Sequence, residues 1–365
     1  MDEHLHPALS QLFVASLIEF DNAAETWLPH RTTALGDGGP PTPAPRSGHT
    51  FRRPWLVSAT TWQNLLRIVA GDGLPQAVAE TSGLGLAGVR RWGYARLDGD
   101  RLVLRWPGKV AHRVWSELEP AIEARWRERW GAGRIDDLRD ALEPLAGTVT
   151  STTPRSMPQL GYADGGRTRM PLDLGPGEPI PARALDLGSL LARALLRCTL
   201  AYERGSELTA VLGFDVIEPL ADAGGELTRT ELVARSGVAP EAMASFVGRL
   251  ERSEHVRLRR AGRSVVIGLT ARGALAAAEH VERAAAAEAR VAADVGGAAV
   301  ARLRAVVAAV HGDATALRRA LEPSDGGWRS RPPYAAQTER VLADPHRHLP
   351  RHPAVTHRGG FPDGA

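Results

Sequence analysis

Arginine side chains are concentrated in one short stretch of this 365-residue chain. Between residues 249 and 263, six arginines stand against Glu251 and Glu254, which gives a local net charge of +4. A guanidinium forms paired hydrogen bonds with phosphate oxygens, so this cluster is suited to the backbone of a nucleic acid. The alternative is a solvated charged surface, because Lys109 is the only lysine among 45 basic residues and arginine is the common cation of the chain. The six residues are Arg249, Arg252, Arg257, Arg259, Arg260 and Arg263.

Other side chains that could carry chemistry lack the spacing that it needs. Cys198 is the only cysteine, which excludes an internal disulfide, and we expect it to be a small buried hydrophobe. Phosphate-binding glycine loops and hydrolase motifs are absent, and no two glutamines lie within ten residues of each other, as the motif of tandem winged-helix DNA glycosylases would require. We predict no enzyme, no metal and no cofactor. Four histidines near the C terminus are interrupted by prolines, without a carboxylate or thiol at metal spacing: His346, His348, His352 and His357.

Two helices are marked in the sequence just before the arginine cluster. Thr228 and Glu231 have the spacing of a capping box, which predicts a helix that begins there. Ser236-Gly237 ends it, because glycine adopts positive φ at little steric cost. Pro240 then opens a second helix, whose apolar residues recur at steps of three and four. These residues are Met243, Phe246, Val247 and Leu250.

A β-hairpin follows the second helix. Residues 256–259 alternate between apolar residues and arginine, Ala261-Gly262 offers a turn, and residues 264–269 alternate back towards Thr270. This pattern predicts two antiparallel strands that form a wing beside the helices.

The segment from residue 214 to residue 273 resembles the MarR family of winged helix-turn-helix transcription regulators. The likeness lies in Leu250-Glu251-Arg252 before the wing and, more specifically, in Leu269-Thr270-Ala271-Arg272-Gly273 after it. The resemblance implies a homodimer in which each subunit places a recognition helix in the major groove and a wing over the adjacent backbone. It also implies release of DNA by a small aromatic ligand.

The chain contains an internal repeat. Shifted by 165 residues without gaps, residues 104–145 match residues 269–310 at eleven positions, and both segments contain Glu-Ala-Arg and a glycine break. Long helices are predicted at 8–28 and 108–145 in one copy and at 187–208 and 273–311 in the other. We therefore expect a mainly α fold with small β-hairpin wings, in which two winged-helix repeats are joined as an intramolecular pseudo-dimer by long helices.

Composition and the repeat predict four segments. They are a first winged-helix unit (1–145), a linker rich in Pro, Gly, Thr and Ser (146–184), a second unit (185–322) and a C-terminal tail rich in Pro, Gly and His (323–365). The tail resembles the C-termini of tandem, single-chain MarR-like proteins of actinobacteria. The chain has neither a basic leader nor an apolar run of about 18 residues, so we expect a soluble, cytoplasmic protein without a membrane partner.

The predicted contacts with double-stranded DNA differ between the copies. Among outward positions of the second recognition helix, only Ser245 and Arg249 suit base readout, and Glu241 would repel phosphate. Thr228 and Arg229, at the start of the preceding helix, are further candidates. In the first copy, 14 residue steps from Gly83 to Leu97 replace 21 from Gly237 to Leu258, which predicts a recognition helix shorter by about two turns. Its wing offers Arg96 and Arg101, with a local net charge of +3.

Two functions remain open from the sequence. The first is a DNA-binding transcription regulator whose second recognition helix and arginine-rich wings contact duplex DNA. The alternative is a winged-helix scaffold that binds a small molecule or a protein and has lost sequence-specific DNA binding. Eight of nine tryptophans lie in the first copy, where they form either core or the wall of an aromatic pocket. They are Trp27, Trp55, Trp62, Trp92, Trp106, Trp115, Trp126 and Trp130.

Overall fold

The computed structural model describes residues 5–28, 63, 66–71, 73–81, 90, 93–151, 153, 177–332 and 334–353. Within these ranges the chain is mainly helical with two small antiparallel sheets, and the prediction is confirmed in this form. No helix in the described ranges has both the length and the apolar composition needed to cross a bilayer.

The first half of the chain begins with a long helix, α1, whose residues are all buried. A small sheet and a long helical pair follow, and the pair is interrupted at Gly131. The elements are α1 (Leu5–Ala24), β1 (Leu74–Pro75), α2 (Gln76–Thr81), β2 (Ala95–Asp98), β3 (Arg101–Leu104), α3 (Trp106–Trp130) and α4 (Ala132–Ala146). The predicted helix around residues 55–67 lies largely outside the described residues.

The second half has the same order of strands and long helices, with further helical segments between them, and then adds a C-terminal segment. A 3₁₀ turn, Ala182–Ala184, precedes it. The elements are α5 (Leu187–Glu203), α6 (Ala210–Leu212), a π-helical segment (Gly213–Ile217), α7 (Glu218–Asp222), β4 (Glu226–Thr228), α8 (Arg229–Ser236), α9 (Pro240–Arg252), β5 (Val256–Ala261), β6 (Ser264–Leu269), α10 (Ala271–Val295) and α11 (Gly297–His311). The C-terminal segment contains α12 (Ala314–Leu321), a 3₁₀ turn (Trp328–Ser330), α13 (Ala335–Ala343) and α14 (Pro345–His348).

The two sheets have the same topology. Each predicted hairpin is present, and a short strand that the hairpin pattern did not predict pairs with its second strand. The strand orders are β1-β3-β2 and β4-β6-β5. Both hairpins turn through two residues, and the first of these is a glycine at positive φ, Gly99 (φ 61°) or Gly262 (φ 60°). The hairpin prediction therefore holds, but each wing is the edge of a three-stranded sheet.

The long helical pairs α3/α4 and α10/α11 have matching dimensions. The first helix of each pair has 25 residues and the second has 15, and every boundary is shifted by 165 residues. A glycine separates the helices in both pairs. Gly131 (φ 88°, ψ 137°) and Gly296 (φ 95°, ψ 137°) adopt a backbone conformation that side chains with a Cβ rarely reach.

Two large hydrophobic cores and a small third cluster around Tyr202 and Phe214 organise the described residues. A large core, which we call the helical body, combines α1, α3, α4, α5 and α11 with the C-terminal segment. Leu138 of α4 and Leu303 of α11 are fully buried within it. The buried residues of a second core all lie between Leu208 and Ala276. We call this part the 208–276 lobe. It carries the predicted recognition helix and wing on a unit with its own core.

Candidate nucleic-acid interface

The two helices predicted in the second copy, and the glycine turn between them, are present. The Thr228 hydroxyl accepts the Glu231 amide at 3.2 Å, and the Glu231 carboxylate accepts the Thr228 amide at 2.8 Å, so the capping box starts α8. Gly237 ends α8 with φ 66° in the left-handed region. Pro240 is the first residue of α9. The amide and the hydroxyl of Thr228 both bond to Glu231, so neither group is free to bind a phosphate.

Helix α9 presents few base-reading side chains. Its apolar face, which includes Met243, Phe246 and Leu250, is buried in the lobe. On the opposite side Glu241 and Ser245 are exposed, and Arg249 is half-buried. Arg252 is exposed at the end of the helix. Ser245 is therefore the exposed hydrogen-bonding side chain in the middle of the helix.

Arg229, at the start of α8, is half-buried. Its Nε atom is buried without a hydrogen-bond partner among the described residues. Arg229 thus lies at the predicted edge of the interface, with part of its guanidinium inside the lobe.

The base of the second wing carries an acidic residue that the sequence reasoning missed. Glu226 of β4 forms ion pairs with Arg257 (3.0 Å) and Arg259 (3.3 Å), because β4 adds to the sheet beside the hairpin. Gly268 leaves room for this arrangement, since a Cβ there would lie 3.0 Å from Glu226 Oε1. The hydrogen bond from Arg257 holds the pKa of Glu226 below its usual value. Counting Glu226 reduces the local net charge of the arginine cluster from +4 to +3.

The tip of the second wing is purely basic. Arg260 and Arg263 flank the turn at Gly262, and both are exposed. In the described part of the chain, neither guanidinium forms an ion pair with a carboxylate. These two arginines remain available to a phosphate backbone, whereas Arg257 and Arg259 must share their charge with Glu226.

The first wing differs in charge and length. Its strands have four residues each instead of six, and its tip is Asp98-Gly99-Asp100. Arg96 pairs with Asp98 at 3.2 Å. Arg101 is half-buried and donates to the Gly73 carbonyl at 2.8 Å. Both predicted arginines therefore already bond to groups of the first half, the Asp98 carboxylate and the Gly73 carbonyl. Of the segment from Gly83 to Leu97, in which the short recognition helix was predicted, the structure describes only Arg90 and residues 93–97.

A small cavity lies between α1, α3 and the start of α5. Its wall is aromatic, with Phe13, Phe20 and Trp126, and its volume is about 50 Å³. Glu119, Glu123 and Asp186 separate it from an open groove of about 580 Å³ that also contains Arg67 and Arg139. Both arginines are paired, Arg67 with Glu119 and Arg139 with Glu123.

The tryptophans of the first copy divide between core and surface. Trp115, Trp126 and Trp130 are buried, whereas Trp27 and Trp106 are exposed. Trp55, Trp62 and Trp92 lie outside the described residues. Trp126 is the one that reaches the cavity wall, and its indole donates to Glu19 at 2.8 Å. Core packing therefore accounts for most of the described set.

The described histidines near the C terminus each contact a different residue of the chain. His346 lies against His311, His348 donates to the Ala234 carbonyl, and His352 lies against His6. Among the described residues no three His, Cys, Asp or Glu side chains are grouped as a metal site requires. Cys198 is buried, and burial raises the pKa of its thiol to about 12.

Comparison with known proteins gives one distant structural likeness. No family model matches the chain, and no curated protein matches it. The crystal structure of the organohalide-sensing RdhR-CbdbA1625 transcriptional regulator, in its 2,4-dichlorophenol-bound form, is similar to part of the chain. The match has 21% sequence identity and a TM-score of 0.28, and it covers 33% of this chain and 74% of that chain.

Proposed function

We propose that the chain is a DNA-binding transcription regulator of the MarR type. Two winged-helix units, residues 1–145 and 185–322, are fused through the linker 146–184 into an intramolecular pseudo-dimer. The equal lengths of α3/α4 and α10/α11, their constant shift of 165 residues and the shared strand order support this organisation. The function is binding rather than catalysis.

A contact between α4 and α11 also supports the pseudo-dimer. In a twofold-symmetric interface, a residue close to the axis meets its own copy. Asp137 and Arg302 are related by the shift of 165, and their side chains approach to 3.5 Å. In a homodimer these positions would carry like charges. A fused chain allows the two copies to differ, and here they form an ion pair.

The observation that carries the DNA-binding proposal is the exposed pair Arg260 and Arg263 at the tip of the second wing. Neither forms an ion pair with Glu226, and both lie at the end of a hairpin whose strands share a hydrophobic core with α9. Phosphate contacts of this kind supply affinity but no sequence information. Affinity should therefore come from the wing, while Ser245, Arg249 and Arg252 add contacts along the recognition helix. The target is asymmetric, because the first wing ends in two aspartates.

Substitution of the tip arginines tests this proposal. The double variant Arg260→Ala/Arg263→Ala should bind every duplex more weakly, and its plot of log K against log salt should be flatter by about 0.9 for each lost phosphate contact. Binding can be measured by fluorescence anisotropy with labelled duplex DNA at several salt concentrations. A matched control is Arg318→Ala/Arg319→Ala, which removes two exposed arginines from α12 of the body. Equal affinity of the tip variant and the parent at all salt concentrations would refute the assignment.

A small aromatic effector belongs to the proposal through the family resemblance. The aromatic cavity beside α1 is the place for it, since Phe13, Phe20 and Trp126 would pack on a ring. An engineered cavity that binds benzene has a volume of about 150 Å³, three times that of this cavity. Binding therefore requires the cavity to open towards the adjoining groove at Glu119 and Asp186.

A second candidate function is a winged-helix scaffold for a small molecule or a protein, without DNA binding. Glu226 favours it by neutralising the base of the wing, and so does exposed Glu241 at the start of the recognition helix. A mobility-shift experiment with duplex DNA from the region upstream of the chain's own coding sequence, with and without competitor DNA, separates the two functions. A shift that competitor of unrelated sequence does not remove supports the regulator.

A further inference from the structure

Residues 323–353, which we call the strap, are anchored in the helical body at one end. Trp328 and Arg329 are fully buried against α1. Arg329 Nη1 lies 2.6 Å from Asp21 Oδ2 and 2.8 Å from Asn22 Oδ1. The Trp328 indole donates to Asp21 at 3.1 Å. A buried ion pair and the packing of the Trp328 indole hold this end of the strap.

Gln337 and His348 of the strap contact the end of α8 and the turn that follows it. Gln337 donates to the Gly237 carbonyl at 2.7 Å, and His348 Nδ1 donates to the Ala234 carbonyl at 2.6 Å. The approach is close, because a Cβ at position 237 would lie 2.0 Å from the His348 carbonyl oxygen. Gly237 is therefore required both for its positive φ and for contact with the strap.

The far end of the strap contacts the π-helical segment that leads into the 208–276 lobe. Asp215 is fully buried, and its carboxylate accepts the backbone amides of Arg351 (2.8 Å) and His352 (3.2 Å). The Arg351 guanidinium pairs with Glu218 of α7 at 2.8 Å. A π-helical segment inside a helix often coincides with a functional position. Here it turns a carboxylate towards the strap.

The strap belongs to the core of the body, but it touches the lobe mainly through hydrogen bonds. Trp328, Val341 and Leu349 are members of the large core, and the core of the lobe contains no strap residue. The lobe is also joined to the body through its chain connections at α6 and α10, and through Phe214, which contacts Tyr202 of α5 and stacks on His6 of α1. The strap therefore spans two units with separate cores and is bonded to the turn before the recognition helix.

We propose that the strap is a positioning device, which fixes the 208–276 lobe and its recognition helix relative to the helical body. Loss of its bonds to the end of α8 and the following turn widens the range of orientations of the lobe while both large cores stay folded. In its consequence for DNA this inference rests on the proposed function, because two DNA-binding elements of one molecule must keep a fixed spacing to meet one duplex. The positional part stands without DNA.

The test compares Gln337→Ala/His348→Ala with the control Glu339→Ala/Arg347→Ala in the full chain. The first pair removes the bond to Gly237 in the turn and the bond to Ala234 in α8, and the control removes two exposed side chains of the same segment. Spin labels at Asp100→Cys and Ser264→Cys report the distance between the wings, since both positions are exposed and buried Cys198 does not react. We expect a broadened or shifted distance distribution for Gln337→Ala/His348→Ala alone. Its hydrogen exchange over residues 229–252 should rise about tenfold.

The outcomes separate the two proposals. A changed wing distance with an unchanged melting temperature supports a positioning role, because a purely structural role would lower the melting temperature of the whole chain. An unchanged distance and unchanged exchange would overturn the strap proposal. If the parent chain binds no DNA while the distance still changes, the strap proposal stands and the proposed regulator function fails.

Discussion

His311 illustrates how one buried titratable side chain connects the strap to stability. It is almost fully buried at the end of α11, where its Nε2 lies 2.7 Å from Gln11 Oε1 and its ring contacts His346. Burial, with a smaller effect of His346, lowers the pKa of His311 to about 4. The folded chain therefore keeps this imidazole neutral at pH values where an unfolded chain would protonate it.

This difference in pKa makes a prediction about the free energy of unfolding. Because the folded pKa lies below the unfolded value of 6.5, the unfolded state binds the proton first as the pH falls. Stability should decrease from pH 6.5 towards pH 4, and His311 should account for about 2 kcal/mol of the loss between pH 7 and pH 5. Urea unfolding of the parent and of His311→Gln at both pH values measures this share. If both proteins lose the same free energy, His311 is not the group responsible.

At the scale of elements, the packing of α4 on α11 makes a prediction about charge. Asp137 and Arg302 are both more than half exposed, and Asp140 also lies 3.5 Å from Arg302. An exposed ion pair contributes about 0.2–1 kcal/mol. Asp137→Arg and Arg302→Asp should each destabilise the chain by a similar amount, and the double variant should recover most of the loss.

A double-mutant cycle in urea measures this coupling. The matched cycle uses Arg134 at the start of α4 and Asp313 just after α11, which approach to 3.5 Å but are not related by the shift of 165 residues. Additive effects of the Asp137 and Arg302 reversals would show that the helices do not bring these two charges together in solution.

Elements with local signals could be predicted from the sequence, and elements that depend on distant partners could not. The capping box at Thr228, the turn at Gly237 and the glycine break at Gly296 each involve residues within a few positions of one another. Glu226 lies 31 residues from Arg257, and β4 is only three residues long, so no periodicity marks it. The wing was therefore predicted, but its partial neutralisation was not.

The strap was hidden from sequence reasoning for a related reason. Its composition of Pro, Gly, Arg and His is typical of a tail. Trp328 and Arg329 are nevertheless buried, and their partners lie in α1, at the other end of the sequence. A buried Arg–Asp pair separated by 308 residues leaves no pattern in a single sequence. Only the lone tryptophan outside the first copy could have indicated an anchored segment.

At the scale of the whole molecule, the two halves share an architecture but differ in surface charge. The second wing ends in Arg260 and Arg263, whereas the first ends in Asp98 and Asp100. Each wing is a hairpin that runs directly into a long helical pair, and the two pairs have the same dimensions. If the pseudo-dimer presents both wings to one duplex, the first wing lies close enough to contact the DNA backbone. It then lacks only the positive charge that would bind phosphate.

Reversing that charge should therefore create a new DNA contact. The variant Asp98→Arg/Asp100→Arg is expected to bind duplex DNA more tightly than the parent, and its salt dependence should be steeper by about 0.9 for each added phosphate contact. Anisotropy titrations over a range of salt concentrations measure both quantities. The control Glu322→Arg/Asp325→Arg makes the same change in net charge at exposed positions between α12 and Trp328. Equal gains in the two variants would mean that net charge alone matters, and no gain in either would place the first wing away from the duplex.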